Sequence, residues 1–170
     1  MKYKLAIAFI FCLNVGFSQT RIGVGILGSN SLGLSVNAEQ VFSLSDNHKL
    51  SVMGGIGGKI EGDPELYWLY KAGTYYYHGA WGIGTEFSVF NKFNDPSLNA
   101  YTQADLLIYP NINYTWFLKD NRFFKLSVGM RFQHYNVINP DMNPDLNHDP
   151  FWDSTPIFGL VFGGQFKNRK

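Results

Sequence analysis

The chain has 170 residues, of which 45% are hydrophobic, 17% aromatic and only 16% charged, with 18 glycines. A typical soluble domain carries about 25% charged residues, and 14 basic against 13 acidic side chains leave a formal charge of +1. The absence of a basic excess argues against a nucleic-acid partner, the aromatic density argues against disorder, and the length suits one domain.

Residues 1–18 read as a cleavable signal peptide. Lys2 and Lys4 form a positive start, Leu5 to Val15 form the apolar segment, and Gly16-Phe17-Ser18 places small residues where a signal peptidase inspects them. Cleavage is expected before Gln19. The apolar segment is too short for a membrane helix, which needs about 20 residues. Cys12, the only cysteine, lies inside it behind the bulky Phe11, so neither a lipid anchor nor a disulfide is expected. Without Lys2 and Lys4, 12 basic residues face 13 acidic ones.

Residues 19–170 form a single expected domain. Its recurring pattern is two-residue alternation, the signature of strands with unlike faces. In 31–45, Leu32, Leu34, Val36, Ala38, Gln40, Phe42 and Leu44 alternate with Ser31, Gly33, Ser35, Asn37, Glu39, Val41 and Ser43. Eight strands are predicted, at about 20–28, 31–44, 49–60, 66–77, 80–90, 101–118, 123–138 and 152–166. Trp81, Ile83, Phe87 and Val89 share one face of the fifth strand, and Phe124, Leu126, Val128, Met130 and Phe132 one face of the seventh. The fourth, with Trp68, Tyr70 and Tyr75-Tyr76-Tyr77, is aromatic on both faces.

Tight turns at Asp46-Asn47-His48, His78-Gly79 and Lys119-Asp120-Asn121 alternate with longer connections at 61–65, 91–100 and 139–150; Ser29-Asn30 alone is short where a long one is expected. The predicted fold is therefore all-β, an eight-stranded antiparallel up-and-down barrel. A soluble ligand-binding barrel turns its apolar face inward, whereas a transmembrane barrel turns it to lipid. The second face here is mostly Gly, Ser, Asn and Thr, which suits a cramped lumen better than a water-facing surface. Phe42, Tyr76, Trp81, Trp116 and Phe124 near the tight turns, and Trp68, Phe90 and Trp152 near the long connections, are expected on the apolar face as interfacial belts.

In the lumen, a two-residue turn at His78-Gly79 sets Lys71 opposite Glu86, and closure of the next hairpin with Phe90 opposite Tyr101 sets Glu86 opposite Asp105. Neighbouring carboxylates away from water need cations, so Lys71, Glu86, Asp105 and Arg131 are the expected ion-pair network.

On these strands and faces the chain resembles the small outer-membrane barrels of OmpA and OmpX type. The terminal Phe158, Leu160, Phe162, Gly164 and Phe166 resemble the strand read by the barrel-assembly machinery, although Lys167-Asn168-Arg169-Lys170 follow here. The resemblance implies an outer-membrane location, contact with outer-membrane lipid and lipopolysaccharide, and the assembly machinery as a partner during biogenesis.

The segment 139–150 repeats a four-residue unit that brings Asp141, Asp145 and Asp149 into step. Such oxygen ligands suit Ca²⁺ or another hard cation, yet Asn-Pro-Asp is also ordinary turn chemistry. His134-Tyr135-Asn136 weakly resembles the His-x-Ser stretch of lipid A deacylase barrels, which would make His134 a general base; Asn136 at the nucleophile position cannot attack an ester as serine does. No cofactor is expected. The expected function is non-enzymatic, structural in the envelope or interactive through 91–100 and 139–150, with a lipid A-modifying barrel enzyme and a soluble periplasmic lipocalin-like barrel as alternatives.

Overall fold

A computed structural model describes residues 17–30, 33–61, 65–92, 102–137 and 151–167. Eight strands follow the alternating segments: β1 Phe17–Leu27, β2 Leu34–Ser43, β3 His48–Glu61, β4 Glu65–His78, β5 Trp81–Lys92, β6 Thr102–Phe117, β7 Arg122–Val137 and β8 Phe151–Lys167. Each pairs antiparallel with its sequence neighbours, and β1 pairs with β8 to close the barrel. Closure leaves no strand edge unpaired, which is how an all-β chain satisfies its backbone without further layers. Residues 1–16 of the expected signal peptide 1–18 and the repeat at 139–150 lie outside the described residues, whereas Phe17 and Ser18 begin β1.

The strands are staggered. From Leu27 the pairs run through Gly159, Ser127, Asn113, Gly82, Tyr77 and Lys49 to Ser43. One circuit thus returns to the far end of β1, roughly ten residues from its start, the stagger that accompanies tilted strands in a closed barrel. Glycines allow close contact at the closing seam. Gly23 pairs directly with Gly163, and a Cβ on Gly163 would run into the backbone of Ile22 and Gly23.

Strand parity sets the faces as the alternation predicts. Leu34, Val36, Ile83 and Val128 point outward, with 59%, 54%, 58% and 60% of their surface exposed, while Ser35, Asn37, Glu39, Ser88 and Ser127 are buried inside. The ambiguous β4 resolves with Trp68, Tyr70 and Tyr76 outward and Leu69, Lys71, Tyr75 and Tyr77 inward. This polarity is the reverse of a lipocalin-like barrel with an apolar interior. Phe90 departs from expectation. It shares the parity of Glu86 and Ser88, and with no bulge between them it turns inward to pack with Leu69, Leu107 and Tyr109.

Two hairpin registers also differ from the simplest pairing. The turn after β4 is Gly79-Ala80, with His78 opposite Trp81; Gly79 takes φ 61° as its first central residue, the left-handed position that glycine fills at no steric cost. Lys71 therefore lies opposite Ser88 and Glu86 opposite Gly73. Across β5 and β6, Glu86 lies opposite Tyr109, not Asp105. The ladder on the other side of β6 shifts between Ala104 and Leu106, an irregularity at Asp105 that a constant register cannot anticipate.

Candidate functional site

The connection from β1 to β2 supplies the feature that most shapes the interior. Leu27 and Gly28 both take φ 57°, and this left-handed step turns Gly28–Asn30 into a short 3-10 turn whose residues are all buried. Instead of forming an outer loop, the segment inserts into the barrel. Ser88 Oγ donates to the Ser29 carbonyl at 2.8 Å, Ser35 Oγ to Asn30 Oδ1 at 2.8 Å, and Lys71 Nζ to Asn30 Oδ1 at 3.0 Å. The inserted turn thus meets its polar needs through inward-facing side chains of β2, β4 and β5.

Below it, toward the tight turns, two carboxylates carry nearly parallel partner sets. Glu86 pairs with Lys71 (Nζ to Oε2, 2.8 Å) and accepts hydrogen bonds from the hydroxyls of Ser29 and Tyr75. Glu39 lies 3.5 Å from Arg21 Nη1 and 3.7 Å from Lys125 Nζ, and accepts from Ser51 at 2.6 Å and Tyr77 at 2.7 Å. Each carboxylate therefore has one tyrosine, one serine and at least one cation, the full satisfaction that a buried charge requires. Lys125 Nζ also stands 4.3 Å from the centre of the Tyr75 ring, and the Arg21 guanidinium 5.2 Å from that of Tyr77. Cation–π contacts of this kind stabilise by about 0.5–2 kcal/mol.

At the other end, Leu69, Phe90, Leu107 and Tyr109 make an apolar layer. The voids beside Glu39 and beside the inserted turn each hold about 10 Å³, roughly the space of one water. Along the described residues, inward-facing side chains pack the lumen.

Of the four residues expected in the network, Lys71 and Glu86 are in direct contact. Arg131 hydrogen-bonds Thr155 Oγ1 at 3.3 Å, at the level of Asp153, and the Asp105 side chain lies outside the described residues. Arg21, Glu39, Lys125, Tyr75, Tyr77 and Ser29 went unselected in the sequence. The signal was there for five of them, since each shares the inward parity of its strand; nothing local marks Ser29.

His134 faces outward with its ring 5.0 Å from that of Trp152. The candidate ligands Asp141, Asp145 and Asp149, like the side chain of Asn136, lie outside the described residues. Among the described residues no three His, Cys, Asp or Glu side chains gather at one point.

The outer wall carries an aromatic row near the tight turns. Trp81 meets Tyr114 at 5.0 Å, Tyr114 meets Trp116 at 4.7 Å, and Trp116 meets Phe124 at 5.5 Å. These edge and tilted contacts link β5, β6 and β7 side by side around the barrel.

Together these features define a closed eight-stranded antiparallel barrel with an apolar outer wall and a charged, side-chain-filled interior. No family profile, no curated protein and no solved structure matches this chain.

Proposed function

We propose that the chain is an exported outer-membrane barrel of the small OmpA and OmpX kind, non-enzymatic and non-conducting, serving envelope structure or surface interaction. The observation that carries this reading is the polarity of the wall. Large apolar side chains cover the outside, where Leu34, Val36, Ile83, Val128, Phe158 and Phe162 are each at least half exposed, while Arg21, Glu39, Lys71, Glu86 and Lys125 are buried inside. In water that arrangement exposes an apolar patch far larger than soluble proteins tolerate; in a bilayer it matches lipid outside and ion pairs within.

Strand length and belts support the same reading. Every strand has 10 to 17 residues, against the roughly 9–11 needed to cross a bilayer when tilted. The aromatic row at one end, and exposed Trp68 and Trp152 toward the other, sit where membrane interfaces favour Trp and Tyr. Regular pairing of β1 with both neighbours begins at Gln19, the residue expected to follow signal cleavage.

Lipid and lipopolysaccharide are the partners of the wall in this reading, the barrel-assembly machinery the partner during biogenesis, and segments 91–100 and 139–150 the surfaces offered to a protein partner. Fractionation tests it. The protein is expected in the outer-membrane fraction, extracted only by detergent, and to migrate differently on gels before and after heating. Recovery in the soluble periplasmic fraction would overturn it.

A further inference from the structure

Two histidines that the sequence places in separate turns meet on the barrel's outer face. His48 begins β3 and His78 ends β4, and the two are directly opposite in the ladder. Directly opposed residues project to the same side with their Cβ atoms about 4.5–5.5 Å apart, and here the ring centres stand 4.7 Å apart with planes at 64°. We propose that His48 and His78 together form a two-imidazole site for a divalent transition-metal ion such as Zn²⁺, at the rim beside the tight turns.

Four observations carry this. The first is spacing: with metal–nitrogen bonds of about 2.0–2.1 Å and angles between a right angle and tetrahedral, two imidazole centres sharing one ion stand about 4.5–5.2 Å apart. The observed separation falls in that interval, so chelation needs ring rotation and no backbone movement. Orientation is the second. His48 Nδ1 is engaged with the Tyr76 hydroxyl, which leaves Nε2 directed away from Tyr76, the arrangement by which a second partner orients a metal-bound histidine.

The third is rigidity. Gly79 N–H donates to the Asn47 carbonyl at 2.9 Å and Leu44 N–H to the His48 carbonyl at 2.9 Å, so the turns carrying the pair are tied together before any ligand arrives. Last comes chemistry. A donor set of two imidazoles, with no carboxylate or thiolate gathered beside it among the described residues, suits Zn²⁺, Ni²⁺ or Cu²⁺ and not Ca²⁺ or Mg²⁺. Two protein ligands leave coordination positions open, so the site is one of weak, exchangeable binding and not a closed structural centre. The inference rests on the β3–β4 ladder and the two turns at its open end, and stands whether or not the wall faces lipid.

The test is calorimetric titration of the folded, tag-free chain in detergent micelles with ZnCl₂. Saturable, exchangeable binding of one ion per chain is expected. His48→Gln and His78→Gln should each weaken it about tenfold or more, while His134→Gln and His148→Gln leave it unchanged; heat-modifiable migration of each variant checks its fold. Cu²⁺ bound to the unsubstituted chain should show nitrogen coupling from two imidazoles by electron paramagnetic resonance, a readout that requires no variant. Absence of saturable binding, binding that survives both substitutions, or oxygen-only coordination of Cu²⁺ would each overturn the proposal.

Discussion

Lys71 and Glu86 form an ion pair of 2.8 Å without being opposite each other in the β4–β5 ladder. Lys71 is paired with Ser88 and Glu86 with Gly73, so the contact is a diagonal across two residues of register. Gly73 leaves room for it, because a Cβ there would lie 3.2 Å from Glu86 Cγ. The carboxylate leans over the glycine to reach the ammonium and the inserted turn together.

Removing one partner of that pair leaves the other charge buried. Glu86→Gln is expected to destabilise the folded barrel by about 3–5 kcal/mol, read from urea unfolding in lipid vesicles. Lys71→Met added to Glu86→Gln should restore part of the loss, giving a coupling energy of about 1–3 kcal/mol in the double-mutant cycle. Strict additivity would mean the pair contributes nothing as a pair.

The inserted turn is expected to hold its place through polar contacts. Ser29→Ala removes a hydroxyl that donates to a buried carboxylate, and should cost about 1–3 kcal/mol. Gly28→Val should cost more, since Gly28 has φ 57° and a Cβ would lie 2.9 Å from the Tyr109 ring. Equal, negligible effects in unfolding titrations would show that the turn does not occupy the lumen.

A packed column predicts electrical silence. Single-channel recording of the reconstituted protein should show no steady conductance steps, and regular steps would contradict the filled lumen.

The closing seam depends on the Gly23–Gly163 pair. Gly163→Val forces side-chain atoms into the β1 backbone and should abolish the heat-modifiable species. Gly79→Ala meets no neighbour within 4 Å and should cost only about 1 kcal/mol for its left-handed backbone. A fully folded Gly163→Val barrel would show that β1 and β8 do not close as described.

Strand number, parity and the inside-out polarity were legible because alternation with period two is a local property, and moving one turn by a single residue shifts the register by two and leaves the faces unchanged. Lys71 and Glu86 meet for that reason even though the turn is Gly79-Ala80 and not His78-Gly79. Asp105 shows the limit. Its partner depended on where a ten-residue connection anchors, and the ladder irregularity at Ala104–Leu106 is invisible to a constant register. The aromatic character of Phe90 points to the outer belt, whereas its parity with Glu86 places it inside. The inward turn at Gly28–Asn30 had no local signature, since Gly-Ser-Asn serves an outer loop equally well and only the Glu86 and Lys71 side chains waiting inside distinguish the two. The His48–His78 pair was hidden likewise, being created by the β3–β4 register.

Substitution on the wall separates lipid from water by depth. Val128→Arg, mid-strand and outward, is expected to cost about 2–4 kcal/mol in vesicles, whereas Leu118→Arg beside the tight turn should cost about 0–1 kcal/mol. A water-facing wall tolerates both equally.

The most direct measurement places spin labels on cysteines introduced singly at Val36, Ile83 and Val128, in a chain starting at Gln19 that has no other cysteine. In lipid vesicles each label should be relaxed by dissolved oxygen and shielded from a polar nickel chelate, as expected at membrane depth. Free access of the chelate to all three would contradict a barrel whose apolar wall faces lipid.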